Sequence, residues 1–128
     1  MVDSSRYFDW LERGKKDLQG AQILFEHNVD NALVCFHCQQ ALEKYFKGYL
    51  LKKNNQLVEG HSLIKLCKLC EQYHGPFKDF LKDVALINGY YIETRYPADE
   101  PLIISNEETG ECLEITKRIM EAVDLLII

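Results

Sequence analysis

The sequence predicts an all-α fold, an antiparallel up-and-down bundle of four to five helices in one domain spanning residues 1–128. Three observations lead there. Apolar residues recur every three to four positions in five separate stretches, the spacing that gives a helix one apolar face. No stretch sustains the two-residue alternation of a half-buried strand. The three prolines and the glycines gather at a few places, and those places divide the helical stretches from one another. A chain of 128 residues, 47% apolar and 27% charged, can bury one proper core and lacks the composition of a disordered chain.

The first helix is expected from about Asp9 to His27. Asp9 can cap it, with Glu12 in the reciprocal capping-box position. Trp10, Leu11, Gly14, Leu18, Ala21, Leu24 and Phe25 share one face. Asp17 lies inside that face between Trp10 and Leu24. A carboxylate there either reaches the rim or needs a partner, such as a lysine or tyrosine from another helix. The second helix starts near Asp30, a good cap, and runs to Lys53. Lys52 and Lys53 suit its negative end, and Asn54-Asn55 can close it. The third begins at His61-Ser62, with Leu63, Leu66, Cys67, Cys70 and Tyr73 on one stripe, and ends at Gly75-Pro76. Proline then sits in the first turn of the fourth helix, which carries Phe77, Phe80, Leu81, Val84, Ile87, Asn88 and Tyr91. The segment Glu93–Pro97 ends that helix, because a residue before proline leaves helical space. A loop reaches Ile104. Ser105 caps the last helix with Glu108 three residues on, and Cys112, Ile115, Ile119, Ala122 and Leu126 form its stripe.

The second helix is the unusual one. Val34, Cys35, Cys38, Ala41, Leu42, Tyr45, Phe46 and Tyr49 fill a wide arc. Gln40, Glu43, Lys44 and Lys47 fall together on the other side, flanked by Leu33, Phe36 and Leu51. Apolar residues interleaved with a few paired charges point to a helix at the centre of the bundle or at an interface. Glu43 and Lys47 have the favoured i to i+4 orientation, so a surface salt bridge explains them as well as a ligand does. A second cluster, Tyr90, Tyr91, Arg95 and Tyr96, could hold a carboxylate or phosphate, or could staple the loop to the bundle.

Net charge is −5, divided as −2 over residues 1–40, +4 over 41–82 and −7 over 83–128. An acidic total argues against broad nucleic-acid binding, which phosphate neutralisation drives. No apolar run is long enough to span a bilayer, and no basic region precedes an apolar stretch at the N-terminus, so a cytoplasmic location is expected. Five cysteines is an odd number. Cys35…Cys38 and Cys67…Cys70 have zinc-like spacing, but both pairs lie inside apolar stripes, where core packing is the simpler reading. His27, His37, His61 and His74 form no helical metal pair. No metal or cofactor is expected. Neither a phosphate-binding glycine loop nor a nucleophile elbow is present.

Phe36-His37-Cys38-Gln39-Gln40-Ala41-Leu42-Glu43-Lys44-Tyr45-Phe46-Lys47-Gly48-Tyr49-Leu50 resembles the F-H-A-Q-Q-A-x-E-K-x-L-K-A-x-L helix of HEPN domains, the higher-eukaryote and prokaryote nucleotide-binding domains. Lys16-Asp17-Leu18 with Ala21 resembles the family's D-L-x-x-A. His61-Ser62-Leu63-Ile64-Lys65-Leu66 resembles H-D-L-x-x-L, with Ser62 in place of the usual Asp. Tyr91-Ile92-Glu93-Thr94-Arg95-Tyr96-Pro97 resembles Y-x-x-x-R-Y-P. The order agrees along nearly the whole chain. The resemblance implies a helical bundle that pairs into a homodimer. It also implies a partner subunit of a minimal nucleotidyltransferase in a prokaryotic toxin–antitoxin-like module, with nucleotide binding in some relatives. RNA-cutting relatives use Arg followed four to six residues later by His. None of Arg6, Arg13, Arg95 and Arg118 is followed by histidine in that window, so a non-catalytic protein is expected. A nucleotide would contact Gln40, Lys44, Lys47, Tyr91, Arg95 and Tyr96, with Asp17, Glu43 and His61 as supporting polar groups. A nucleotide-binding module acting alone is the alternative. An RNase built on His37 or His61 is a weaker one, since acid–base work needs a second positioned group.

Overall fold

The computed structural model describes residues 2–95, 97 and 103–128, the side chains of residues 91–95 excepted. Five helices follow one another: α1 Tyr7–Glu26, α2 Asn31–Asn54, α3 Leu63–Glu71, α4 Phe77–Arg95 and α5 Asn106–Ile127. No strand occurs among the described residues. Helices α1, α2, α4 and α5 alternate in direction. Gly14 of α1 lies against Ala41 and Tyr45 while Gly48 lies against Leu11, so α1 and α2 are antiparallel. Phe77 at the start of α4 meets Phe46 and Tyr49, so α4 climbs back towards the start of α2. Asn31 reaches Asn106, and the Tyr45 hydroxyl donates to Asp124 at 2.9 Å, so α5 runs parallel to α2. Short α3 also runs with α2, because residues 55–62 first return along it.

Helix α2 touches each of the other four helices. Its buried residues lie on all sides, from Val34 and Cys35 to Tyr49, Leu50 and Leu51. It is the central rod, as its mixed pattern predicted. Burying an apolar side chain on this scale contributes about 1.5–3 kcal/mol each, so α2 supplies much of the folding energy.

Most helix ends match their sequence signals. The Asp30 carboxylate accepts from the Ala32 amide at 2.9 Å, and Asn55 closes α2 in the left-handed conformation, φ 58°. The Ser62 hydroxyl accepts from Lys65 N–H, and Ser105 with Glu108 makes the full capping box. Three ends differ. Helix α1 starts at Tyr7 behind Arg6, which provides no side-chain cap. Asp9 is already inside the first turn and is engaged by Ser4 and Arg6 instead. Helix α3 stops at Glu71, before Tyr73, because His74 and Gly75 take positive φ, 68° and 106°, and the chain turns. Pro76 therefore lies just ahead of α4, which begins at Phe77.

Candidate functional site

Helix α1 packs closely over the polar side of α2. A Cβ at Gly14 would stand 2.7 Å from Tyr45 Cδ1, and one at Gly48 would stand 3.0 Å from Leu11 Cδ2. From the other flank, residues 55–62 bring His61 in. Half of the strip, Glu43 and Lys47, is thus enclosed, while Gln40 and Lys44 stay half-buried. Glu43 is 4% exposed and Lys47 6%, and Gln39 is fully buried. The surface salt bridge anticipated for Glu43 and Lys47 is a buried one, because α2 is covered on that flank too.

Two linked polar groups result. In the first, Asp17 accepts from Lys44 Nζ and faces His37 Nδ1 at 3.4 Å. Lys44 also reaches Gln40 Oε1 at 3.4 Å, Gln40 donates to Gln39 Oε1 at 2.7 Å, and Gln39 donates to the His61 carbonyl at 3.3 Å. In the second, Lys47 donates to Glu43 Oε2 at 3.2 Å, while Glu43 Oε1 meets His61 Nδ1 at 3.0 Å. His61 joins both groups, through its carbonyl and its ring. Burial pushes the Asp17 carboxyl up, but hydrogen bonds from His37 and Lys44 and their charges outweigh it, and the group sits below the usual carboxylate range. Each lysine of the strip thus has a carboxylate of its own.

Along one stripe α2 is less than fully buried: Leu33 is exposed, and Phe36, His37, Gln40 and Lys44 are half-buried. Beside it lie two clefts that share a wall. One, of about 230 Å³, is lined by Ser4, Asp9, Trp10, Arg13 and Lys44. The other, of about 320 Å³, is lined by Asp3, Trp10, Lys47 and the segment from Leu57 to His61. Trp10 belongs to both, and the Lys47 ammonium stands 5.7 Å from the centre of its ring. An aromatic plate between clefts that carry both signs of charge, Asp9, Arg13 and Lys44 in one and Asp3, Lys47 and Glu59 in the other, offers a planar ligand a stacking surface.

The structure brings Gln40, Glu43, Lys44, Lys47, Asp17 and His61 together. Tyr91 and Arg95 lie in the last turns of α4, whose end runs towards the start of α2, away from Lys47. Their side chains and the whole of Tyr96 are outside the described residues. Trp10 and Arg13 line the clefts, yet neither stood out in the sequence as a site residue; His37, weighed there only as the base of an RNase, faces Asp17. Trp10 looked like core, although its place beside Asp17 on the helix marked a rim. Arg13, three residues on, shares that side.

The CxxC cysteines are core residues. All five thiols are free and buried. Cys67 Sγ donates to the Phe77 carbonyl at 3.3 Å and Cys70 Sγ to the Phe46 carbonyl at 3.8 Å. Burial pushes the Cys67 thiol up to about 11, away from thiolate reactivity. Among the described residues no three metal-ligating side chains converge, and no helix is long and apolar enough to cross a membrane.

The family model for the HEPN domain matches residues 7–126. The crystal structure of TT1696 from Thermus thermophilus is similar, with a TM-score of 0.82 and 32% identity over 94% of this chain and 98% of that one. The structure of ST0689, an archaeal HEPN homologue, is similar with a TM-score of 0.77 and 25% identity, over 96% and 98% of the two chains. Among curated proteins none matches.

Proposed function

The chain belongs to the HEPN domain family, and on that premise we propose that it is a non-catalytic, single-domain protein that works as a homodimer. The dimer serves as partner subunit to a minimal nucleotidyltransferase in a prokaryotic, cytoplasmic toxin–antitoxin-like module. The observation that carries this reading is one group of exposed apolar residues; Val2, Phe8, Leu86, Leu125 and Ile128 are exposed on other parts of the chain. Ile23, Val29, Leu33 and Ile103 are each at least 38% exposed. Ile23 is near the end of α1, Val29 is in the α1–α2 turn, Leu33 is in the first turn of α2, and Ile103 adjoins Ile104, whose carbonyl accepts from Asn31 at 2.9 Å. All four therefore sit at one end of the bundle. They adjoin the half-buried stripe of α2 that starts at Leu33. Exposed apolar residues gathered in this way favour a protein contact. The strip's lysines are neutralised from within the fold, which favours a structural role for them over a catalytic one.

Sedimentation at tens of micromolar tests the dimer. The wild-type chain should run at twice its 14.9 kDa mass, and Leu33→Glu should run as a monomer with unchanged helicity. A wild-type monomer overturns the proposal.

A second reading, a nucleotide site, is favoured by the clefts at Trp10. The base would stack on the indole, and Arg13 and Lys44 would face the phosphates. Calorimetry with ATP and GTP checks it. Binding weakened by Arg13→Ala and by Lys44→Ala is expected, and no heat at millimolar nucleotide contradicts it.

A further inference from the structure

The N-terminal segment ahead of α1 has no helical structure, yet it is held in place by a set of hydrogen bonds. The Trp10 indole N–H donates to the Ser4 carbonyl at 2.9 Å. The Ser4 hydroxyl donates to Asp9 Oδ2 at 2.7 Å, and Arg6 Nε donates to the same oxygen at 2.8 Å. The Arg6 amide closes the set on the Ser4 hydroxyl at 3.1 Å. Asp9 was expected to cap the helix. It instead gathers the segment against the first turn.

The position of this segment matters more than its bonds. Asp3 lines the larger cleft and its chain neighbour Ser4 lines the smaller one. The segment therefore crosses the ridge at Trp10 and separates two spaces that share that ring as their wall. The bonds that hold it are exposed or half-buried and involve few residues, the kind of contact that opens locally at small cost.

We propose that residues 3–6 are a strap latched by Asp9 over Trp10, and that unlatching joins the two clefts into one trough that admits a planar aromatic ligand bearing an anionic group. The ligand chemistry rests on the nucleotide reading given above, while the latch itself does not. The strap and the ligand would both lie against Trp10, so ligand and latch are mutually exclusive. Access is then set by the population of the open state, and the apparent affinity is the intrinsic one multiplied by that fraction.

Trp10 is the one tryptophan of the chain, so tryptophan fluorescence reports the surroundings of the one indole that the strap holds. The test measures acrylamide quenching and ATP titration for the full chain and for Asp9→Asn and Ser4→Ala. Quenching should rise about twofold in Asp9→Asn and to a smaller degree in Ser4→Ala, with helicity unchanged. A larger open fraction should make ATP bind about two- to fivefold tighter in those two variants. Equal quenching in wild type and Asp9→Asn overturns the strap. ATP binding tighter in Asp9→Asn but unchanged in Ser4→Ala, which loosens the latch with no change of charge, overturns the gating and assigns the effect to charge. If no variant binds ATP, the nucleotide reading falls, and quenching alone decides the latch.

Discussion

The Asp17 side chain is 12% exposed and the Lys44 side chain 17%. A carboxylate on the buried face of α1 needs a partner, and a lysine from the next helix fills that need. Removing one member of a largely buried pair leaves the other desolvated and unpaired. Lys44→Ala is expected to cost about 2 kcal/mol in urea unfolding at neutral pH. The pH dependence has a definite sign. The Asp17 carboxyl is held below its ordinary value in the folded state. Its contribution is therefore complete above the unfolded carboxylate pKa of about 3.9 and is lost as pH falls through the lower folded value. The stability gap between wild type and Asp17→Asn should be widest near neutrality and should shrink towards pH 3. A gap independent of pH would show that Asp17 titrates as an ordinary surface acid. The partner type was legible because a buried charge has few solutions. That the partner would be Lys44, three residues before Lys47 with its separate carboxylate, required the register of α1 on α2, and no local pattern states that register.

The register itself is set by glycine. Gly14 and Gly48 let α1 and α2 approach until a Cβ at either would crowd a neighbour, 2.7 Å from Tyr45 at one and 3.0 Å from Leu11 at the other. Tyr45 is fully buried, and its hydroxyl is fixed on Asp124, so the ring cannot move aside easily. Gly14→Ala is expected to destabilise by about 1–3 kcal/mol through overpacking. Gly20, on the same helix, has nothing within 4 Å of its would-be Cβ. Gly20→Ala should stabilise by about 0.5–1 kcal/mol, the ordinary helical preference for alanine over glycine. Thermal unfolding of the two variants separates them, and a shift of the same sign in both would contradict the close-approach account. At this scale the helices were readable from the chain, since periodicity and caps are local. The start of α1 was not, because Asp9 has two possible uses and the strap residues Ser4 and Arg6 take its carboxylate. The end of α3 was missed for a related reason. The apolar stripe continues to Tyr73, but the backbone leaves the helix after Glu71 ahead of His74 in the left-handed region.

The whole molecule is a bundle built around one rod. Periodicity foresaw the central place of α2, because apolar residues interleave with its charges where an outer helix would be uniformly polar. The candidate site was only half legible. Gln40, Glu43, Lys44 and Lys47 were visible as a strip, but Trp10 and Arg13 come from another helix, and the clefts they line form only when α1 lies on α2. The same geometry leaves a stripe of α2 less than fully buried from Leu33 to Lys44, adjoining the apolar end at Ile23 and Val29. Helix α2 is the core of the bundle and, on the function proposed above, the seat of contact with a second copy. Hydrogen–deuterium exchange followed by mass spectrometry at two protein concentrations tests it most directly. Amides from Val34 to Leu51 should be the last in the chain to exchange, and those from Asn31 to Gln40 should gain protection as concentration rises. Exchange in α2 as fast as in α1 and α5, with no dependence on concentration, would contradict the account.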